Sequence, residues 1–361
     1  MPADPDILLT RLRNQQILAP PMRKPADVVS RLCAMQAQDY PGVLWSVGLR
    51  MQSATMAGIR QSLAEGQVIR TWLLRGTLHL TTPEDVRWIL RLTGPRVIAG
   101  NAGRHRQLGL SADDFTRSRE VLKRELEGGG ALTRDEVFRA LGNAGISTEG
   151  QRGYHLLAGA GLSGLICFGA PRGKQQTFVL LDEWAPEEIS DDKDDPAARL
   201  AGRYFEGHGP ALPEDFAWWS GLSLSAARAG IKKSGSRLVS FTAGGREYFE
   251  VAGEDTIPAG SRGNAVLLPG FDEYIVGYRN RSDIISPEPG GRGKTGGNGM
   301  MLPVLVVDGS VAGTWRREAG TRSIIITLKP FQDSGTAQRY LIEEAAERYG
   351  RFVELPISVR W

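Results

Sequence analysis

Two glutamines one residue apart, in the segment RLCAMQAQDYPGVLW (31–45), are the side chains of this sequence best suited to orient a small molecule. Gln36 and Gln38 each carry one carbonyl acceptor and two amide donors, and they need partners if buried. If the preceding helix continued through them, they would point about 200° apart. If the chain is extended from Gln36, both project to one side and can share a target. Asp39 and Pro41 favour an end to the helix, although the pair could also simply bind backbone there.

A second polar group follows in TWLLRGTLHLTT, where Arg75 and His79 alternate with Thr77. On a regular strand these side chains point the same way. The pattern predicts a polar wall near the glutamines, with His79 as a donor and Arg75 as a phosphate contact. A purely structural histidine would give the same pattern.

Arg279 and Arg281 form a third group, in a segment predicted to be a strand or hairpin. Both would project to one side, which suits a DNA groove but also an exposed charged strand. Asp272 and Glu273 precede them. Adjacent residues of a strand face opposite ways, so we expect these two carboxylates to make a poor acid/base pair.

Signatures of metal and cofactor sites are missing from the sequence. The four histidines lack ligand spacing, and there is no C-x-x-C pair. Phosphate-loop, dinucleotide and G-x-S-x-G patterns are also absent. The glycine-rich segment GGRGKTGG (290–297) lacks the flanking strand and helix that a phosphate loop requires. We therefore expect no metal and no cofactor.

The elements that carry these residues repeat along the chain. Helices are predicted over 5–18, 25–37, 43–50 and 55–65, followed by the strands VIRTWLL and TLHLTT. GGALTRDEVFRAL and HGPALPEDFAWWS each open a similar helix–turn–helix with a following hairpin, at an offset of 80 residues. A fixed internal period indicates a duplicated unit.

The predicted fold class is α+β, with three tandem winged helix-turn-helix units and a β-rich C-terminal portion. The predicted boundaries are 1–107, 108–186, 187–255 and 256–361, with the candidate site in the first unit. The acidic stretch EEISDDKDDP (187–196) is a linker or a surface loop. In the last portion NAVLLPGFDEYIVGYRNRSDII, MLPVLVVDG, VAGTWRRE and SIIITLKP are strand-like, and TAQRYLIEEAAERYG is a closing helix.

Composition narrows the functional class. With 41% hydrophobic and 24% charged residues, the chain is typical of a globular protein. No apolar run approaches the ~18 residues that span a bilayer, and no signal peptide is evident. Two cysteines fit a reducing cytoplasm. Residues 1–110 carry a net charge of +7, which suits phosphates, although the richness of the chain in arginine could equally reflect a GC-rich genome.

The combination of QAQDYPGVLWSVGLR, RGTLHL, HGPALPEDFAWWSGL and PGFDEYIVGYRNRS resembles the AlkZ-like family of winged-helix DNA glycosylases over nearly the whole chain. The resemblance implies three winged-helix motifs around a concave channel sized for duplex DNA, and excision of alkylated purines. It also implies a catalytic Gln–apolar–Gln motif, which Gln36-Ala37-Gln38 matches. Asp39 is a further candidate for electrostatic stabilisation, although the family motif does not require it.

Two hypotheses follow. The first is a monofunctional DNA glycosylase in which the two glutamines position water for attack on duplex DNA bearing alkylated purines; we expect a cytoplasmic, nucleoid-associated monomer. The second is a non-enzymatic DNA-binding protein or regulator. The second hypothesis fits less well, because the helices in the recognition position, EGQRGYHLLAGAGL and SLSAARAGIKK, carry few basic residues.

Overall fold

The computed structural model describes residues 5–18, 20–186, 195–253, 263–285 and 301–361. The glycine-rich segment 290–297 and most of the acidic stretch 187–196 lie outside these residues. Within the described ranges, helix bundles followed by short hairpins recur three times, and an antiparallel sheet dominates the C-terminal portion. This is the α+β class that the sequence predicts.

The first unit brings the glutamine segment onto a sheet. Its elements are α1 (Pro5–Asn14), α2 (Pro25–Leu32), β1 (Met35–Gln36), α3 (Tyr40–Gly48), α4 (Met56–Ala64), β2 (Ile69–Leu73), β3 (Thr77–Thr81), α5 (Pro83–Gly100) and α6 (Ala102–Gln107). The helix predicted over 25–37 is wrong at its end. Cys33 adopts φ +64°, which a helix cannot contain, and the chain then extends into β1.

The second unit continues the same sheet. It contains α7 (Ala112–Leu126), β4 (Leu132–Thr133), α8 (Arg134–Asn143), α9 (Arg152–Leu162), β5 (Ile166–Phe168), β6 (Thr177–Leu180) and α10 (Leu181–Trp184). Thr133 and Glu136 cap α8 reciprocally, and the sequence Thr133-Arg134-Asp135-Glu136 has the spacing of such a capping box. β5 pairs with β2, so the two hairpins form one six-stranded sheet in the order β1-β3-β2-β5-β6-β4.

The third unit has the same plan: α11 (Pro196–His208), α12 (Pro213–Ser220), α13 (Leu224–Lys233), then the hairpin β7 (Leu238–Ala243) and β8 (Arg246–Val251). Its α11 contributes Leu200, Tyr204 and Phe205 to a large buried core that also contains residues of the first unit and of the C-terminal portion. The second unit has a separate buried core around α7, α8 and α9.

The C-terminal portion is a five-stranded sheet closed by a helix. It comprises β9 (Ala265–Leu268), α14 (Glu273–Val276), β10 (Val304–Val307), β11 (Ser310–Ala319), β12 (Ile324–Pro330), α15 (Thr336–Val353) and β13 (Ile357–Arg360), with strand order β13-β12-β11-β10-β9.

The strand predicted through FDEYIVGYRNRS is wrong. Phe271 takes φ +63°, and Asp272 then accepts the Tyr274 N–H and caps the short helix α14. Arg279 and Arg281 follow in an irregular segment, because the chain turns after α14 rather than extending.

Candidate active site

Gln36 lies in β1 at the edge of the six-stranded sheet, and Gln38 follows it two residues later. Gln36 pairs with His79 of β3 in antiparallel register, and the Ala37 N–H donates to the Leu78 carbonyl over 2.7 Å. β1 ends at Gln36 and Gln38 lies at a bend just after it, so the strand fixes the direction of the Gln36 side chain alone. Of the two arrangements open at the sequence level, the structure has the extended one.

The two amides are held differently. Gln36 is 9% exposed, and its Oε1 accepts a hydrogen bond from Arg75 Nη2 over 3.2 Å. Gln38 is exposed, and its Oε1 accepts the Leu78 N–H over 3.2 Å. A carbonyl oxygen has two lone pairs, so each amide keeps acceptor capacity besides its NH₂ group. The pair is therefore oriented yet retains donors and acceptors for a ligand or water.

Arg75 links Gln36 to the third unit. It lies in the turn between β2 and β3, not on a strand, and its Nη1 donates to the carbonyls of Trp219 (2.6 Å) and Trp218 (3.1 Å). Burial lowers the pKa of this guanidinium; Glu273 opposes that change and the charge of Arg281 adds to it. Arg75 therefore mainly connects Gln36 of the first unit to α12 of the third unit.

Glu273 is the buried anion beside Gln36. One carboxylate oxygen accepts the Gln36 N–H over 2.6 Å, and the other accepts from Trp219 Nε1 (3.0 Å) and from His208 Nε2 (3.2 Å). Burial opposes ionisation, but the hydrogen bonds from His208 and from the Gln36 N–H hold the pKa of the Glu273 carboxyl below its usual range. The carboxylate is thus charged and fully surrounded.

The strand predicted for this segment makes Glu273 only a poor acid/base partner of Asp272, so its position beside Gln36 was not foreseen. The available signal was Asp272 directly before Glu-Tyr-Ile-Val, which is a helix N-cap pattern. Asp272 itself forms a buried ion pair with Arg50, with Nη2–Oδ1 at 2.8 Å and Nη1–Oδ2 at 2.9 Å. Burial raises the pKa of Asp272, but Arg50 outweighs it and keeps that pKa low. This pair fixes the start of α14 and, with it, Glu273.

His79 is buried and neutral. Its Nδ1 donates to the Thr77 carbonyl over 2.8 Å, so Nε2 carries the lone pair, and no described group donates to it. Burial and the charge of Arg75 lower the pKa of His79 to about 4. The side chain therefore keeps a buried acceptor without a described partner, and the donor expected from the sequence is already used.

Arg70 of β2 holds the segment between the glutamines. It is 6% exposed, and its Nη2 donates to the Ala37 carbonyl over 3.1 Å. Its guanidinium carbon lies 5.1 Å from the centre of the Tyr40 ring and 4.4 Å from that of Phe168. Among the described residues it forms no ion pair, and burial lowers its pKa to about 10. Sequence analysis did not single out this residue.

Asp39 is not placed with this group. It occupies the N-cap position of α3, where its carboxylate lies against Gly42, and its charge acts on the buried Tyr349 of α15. The structure therefore does not bring Asp39 together with Gln36 and Glu273.

Arg279 and Arg281 separate. Arg281 donates from Nε to the Ile275 carbonyl over 2.8 Å and is close enough to Arg75 to affect its pKa. Arg279 is exposed and lines a cleft of about 970 Å³ on the third unit, with Lys232 among its neighbours. Only Arg281 adjoins the glutamine site, and the shared strand predicted for the two is wrong.

No group of three or more His, Cys, Asp or Glu side chains in the described ranges is arranged to hold a metal ion. Among the same residues, no helix is long and apolar enough to cross a membrane.

Comparison with known proteins gives consistent matches over most of the chain. The family model described as DNA glycosylase AlkZ-like matches residues 29–352. An interstrand DNA cross-link repair glycosylase of Streptomyces sahachiroi is 27% identical over 94% of each chain. A solved structure, the DNA glycosylase AlkZ of Streptomyces sahachiroi, matches with a TM-score of 0.79 at 25% identity, covering 99% of this chain and 100% of its own.

Proposed function

Because the chain belongs to the AlkZ-like family of DNA glycosylases, we propose that it hydrolyses the N-glycosidic bond of cationic, N7-alkylated purines in duplex DNA. The observation that supports this most directly is the placement of Gln36 and Gln38. They lie two residues apart beside β3, with Gln36 fixed between Arg75 and Glu273 and Gln38 bound to the Leu78 N–H.

Cleavage of the N-glycosidic bond of such a purine needs little help from a general acid. An N7-alkylated purine already carries a positive charge and is a good leaving group. Two tasks remain: to place a water molecule below C1′ of the sugar and to stabilise an oxocarbenium-like transition state. The free lone pairs and NH₂ groups of Gln36 and Gln38 can orient that water. The buried negative charge of Glu273 lies next to Gln36 and favours positive charge developing there.

The same reasoning limits the range of substrates. A glutamine is a weak base, and His79 and Asp39 are not expected to supply a stronger one, since His79 is buried and the Asp39 carboxylate packs against Gly42. A site of this strength cleaves bonds that alkylation has already weakened and leaves normal purines in place. The relative from Streptomyces sahachiroi carries cross-link repair in its name. We include cross-linked purines, joined through N7, in the proposed substrate class.

The test is base release from duplex DNA that contains one N7-methylguanine. The wild-type protein should release the base, and Gln36→Ala and Gln38→Ala should each slow release at least about 100-fold, as expected for a misplaced nucleophile. Gln52→Ala, an exposed glutamine of the first unit, is the matched control. A duplex cross-linked through N7 serves as a second substrate.

The binding of the variants to the same duplex shows whether the loss is chemical. Retained binding with lost release supports the proposal. Unchanged release in both variants would contradict it, and so would wild-type protein that releases neither methylated nor cross-linked purines.

A further inference from the structure

Trp218 is an exposed tryptophan next to the candidate active site. In the helix α12, Phe216 and Trp219 are buried, whereas 42% of Trp218 is exposed. The sequence FAWW thus directs one indole to the core, where it binds Glu273, and the other to the surface. Single exposed apolar residues are common, so exposure alone does not indicate a function.

The contacts of Trp218 connect it to the candidate site. The guanidinium carbon of Arg75 lies 5.2 Å from the centre of the indole ring. The same guanidinium donates to Gln36 Oε1 and to the Trp218 carbonyl. One charged group therefore connects the exposed ring to a glutamine of the site.

A close backbone approach keeps this arrangement fixed. Gly221 ends α12 with φ +74°, and a Cβ placed on it would lie 3.3 Å from Arg75 Cγ and 3.4 Å from the Leu74 carbonyl oxygen. The end of α12 therefore packs against the turn between β2 and β3. Trp218 stays beside Gln36 because both are anchored to that turn.

We propose that Trp218 is a stacking platform for the alkylated purine, and that its electron-rich indole ring favours the cationic base over a neutral one. This inference rests on the proposed function. A tryptophan face attracts cations, and stacking on an aromatic side chain is tolerant of base identity. An N7-alkylated purine satisfies both interactions, whereas an unmodified purine satisfies only the second.

The experiment measures binding without cleavage. The probe is a duplex with one 2′-fluoro-N7-methylguanine, whose fluorine disfavours the oxocarbenium ion and prevents base loss. The matched duplex carries 2′-fluoroguanine at that position. At constant salt, Trp218→Ala should raise the Kd for the methylated duplex about 10-fold or more and that for the unmethylated duplex far less. Trp218→Phe should restore part of the affinity.

Trp361 provides a matched control, because it is also 42% exposed and also has an arginine, Arg339, with its guanidinium carbon 5.1 Å from the ring centre. Trp361→Ala should change neither Kd. Equal losses on both duplexes, or no loss in Trp218→Ala, would overturn the inference. Wild-type protein that binds both duplexes equally would also overturn it.

Failure of the proposed function gives a different result. Wild-type protein that prefers the methylated duplex through Trp218, but releases no base from N7-methylguanine DNA, would refute the hydrolysis and support the stacking. Release that depends on the glutamines, without any dependence of the Kd on Trp218, would do the reverse.

Discussion

Arg70→Met separates positioning of the glutamines from stability. The arginine is 94% buried, without an ion-pair partner among the described residues, and it holds the carbonyl of Ala37 between Gln36 and Gln38. Methionine has a similar length and lacks the charge and the donors. We expect the variant to fold with a modest loss of stability and to lose most of its base-release activity.

The magnitudes follow from opposing terms. Burying a charge costs several kcal/mol, and no carboxylate among the described residues pairs with Arg70 to offset that cost. Its bonds to the Ala37 carbonyl and to Gln176 Oε1 contribute about 1.5–3 kcal/mol each as hydrogen bonds from a charged group. The rings of Tyr40 and Phe168 add about 0.5–2 kcal/mol each. These terms nearly cancel, but the buried Ala37 carbonyl is left without its side-chain donor, so the free energy of unfolding should fall by about 1–3 kcal/mol.

No opposing contributions compensate the effect of this substitution on the catalytic rate. Without Arg70 the Ala37 carbonyl loses its side-chain donor, and the flanking glutamines lose their fixed register. A displacement of about 1 Å at a reacting centre can reduce the rate about 100-fold. We therefore expect kcat for release of N7-methylguanine to fall about 10- to 100-fold, with a smaller change in KM.

The assay pairs single-turnover base release with urea unfolding. Arg60→Met, at an exposed arginine of α4, is the control and should change neither quantity. A loss of more than about 3 kcal/mol in Arg70→Met would show that the cation is mainly structural. Full activity would refute the positioning role.

Three further predictions concern the surroundings of the site. Asp272→Asn leaves Arg50 buried with its charge uncompensated, so the free energy of unfolding should fall by about 3–5 kcal/mol in urea titration; a loss below about 1 kcal/mol would contradict this. Because the folded pKa of His79 is about 4 and the unfolded value about 6.5, the unfolded chain binds the extra proton first. The contribution of His79 to the free energy of unfolding should be complete above pH 6.5 and fall by roughly 3 kcal/mol as the pH drops to 4. Urea unfolding of His79→Gln at several pH values should lack this loss. The same slope of the free energy of unfolding against pH in both proteins would disprove the prediction. If Arg279 and Arg281 each contact a DNA phosphate, each alanine variant should reduce the slope of log K, the association constant for duplex DNA, against log salt concentration by about 1. An unchanged slope would exclude that contact.

Much of the fold could be predicted from local pattern. The capping pair Thr133 and Glu136, the hairpin around Gly76 and the recurrence of helix pairs before hairpins are all short-range signals. The failures have local causes too. Cys33 adopts a positive φ, which is uncommon for a residue other than glycine and could not be predicted from its type. Asp272 is an N-cap within a segment whose composition otherwise favours a strand.

The candidate site was harder to predict, because its geometry depends on contacts between distant parts of the sequence. The extended form of Gln36 to Gln38 could be considered from Asp39 and Pro41, but its choice depends on pairing with β3. Nothing near Gln36 in sequence indicates that its N–H meets Glu273, 237 residues away. Residue spacing identifies candidate groups, whereas the partners that set their charge come from tertiary structure.

The hydrogen bond between the Gln36 N–H and Glu273 has a consequence for synthesis of the protein on the ribosome. At about 5–20 residues per second, Glu273 follows Gln36 by roughly 10–50 seconds, and during that interval the two-residue strand β1 lacks this partner. The early part of the nascent chain therefore exposes an incomplete surface that chaperones can recognise. A prematurely terminated chain that ends before Glu273 lacks this partner and therefore cannot present the complete site to DNA.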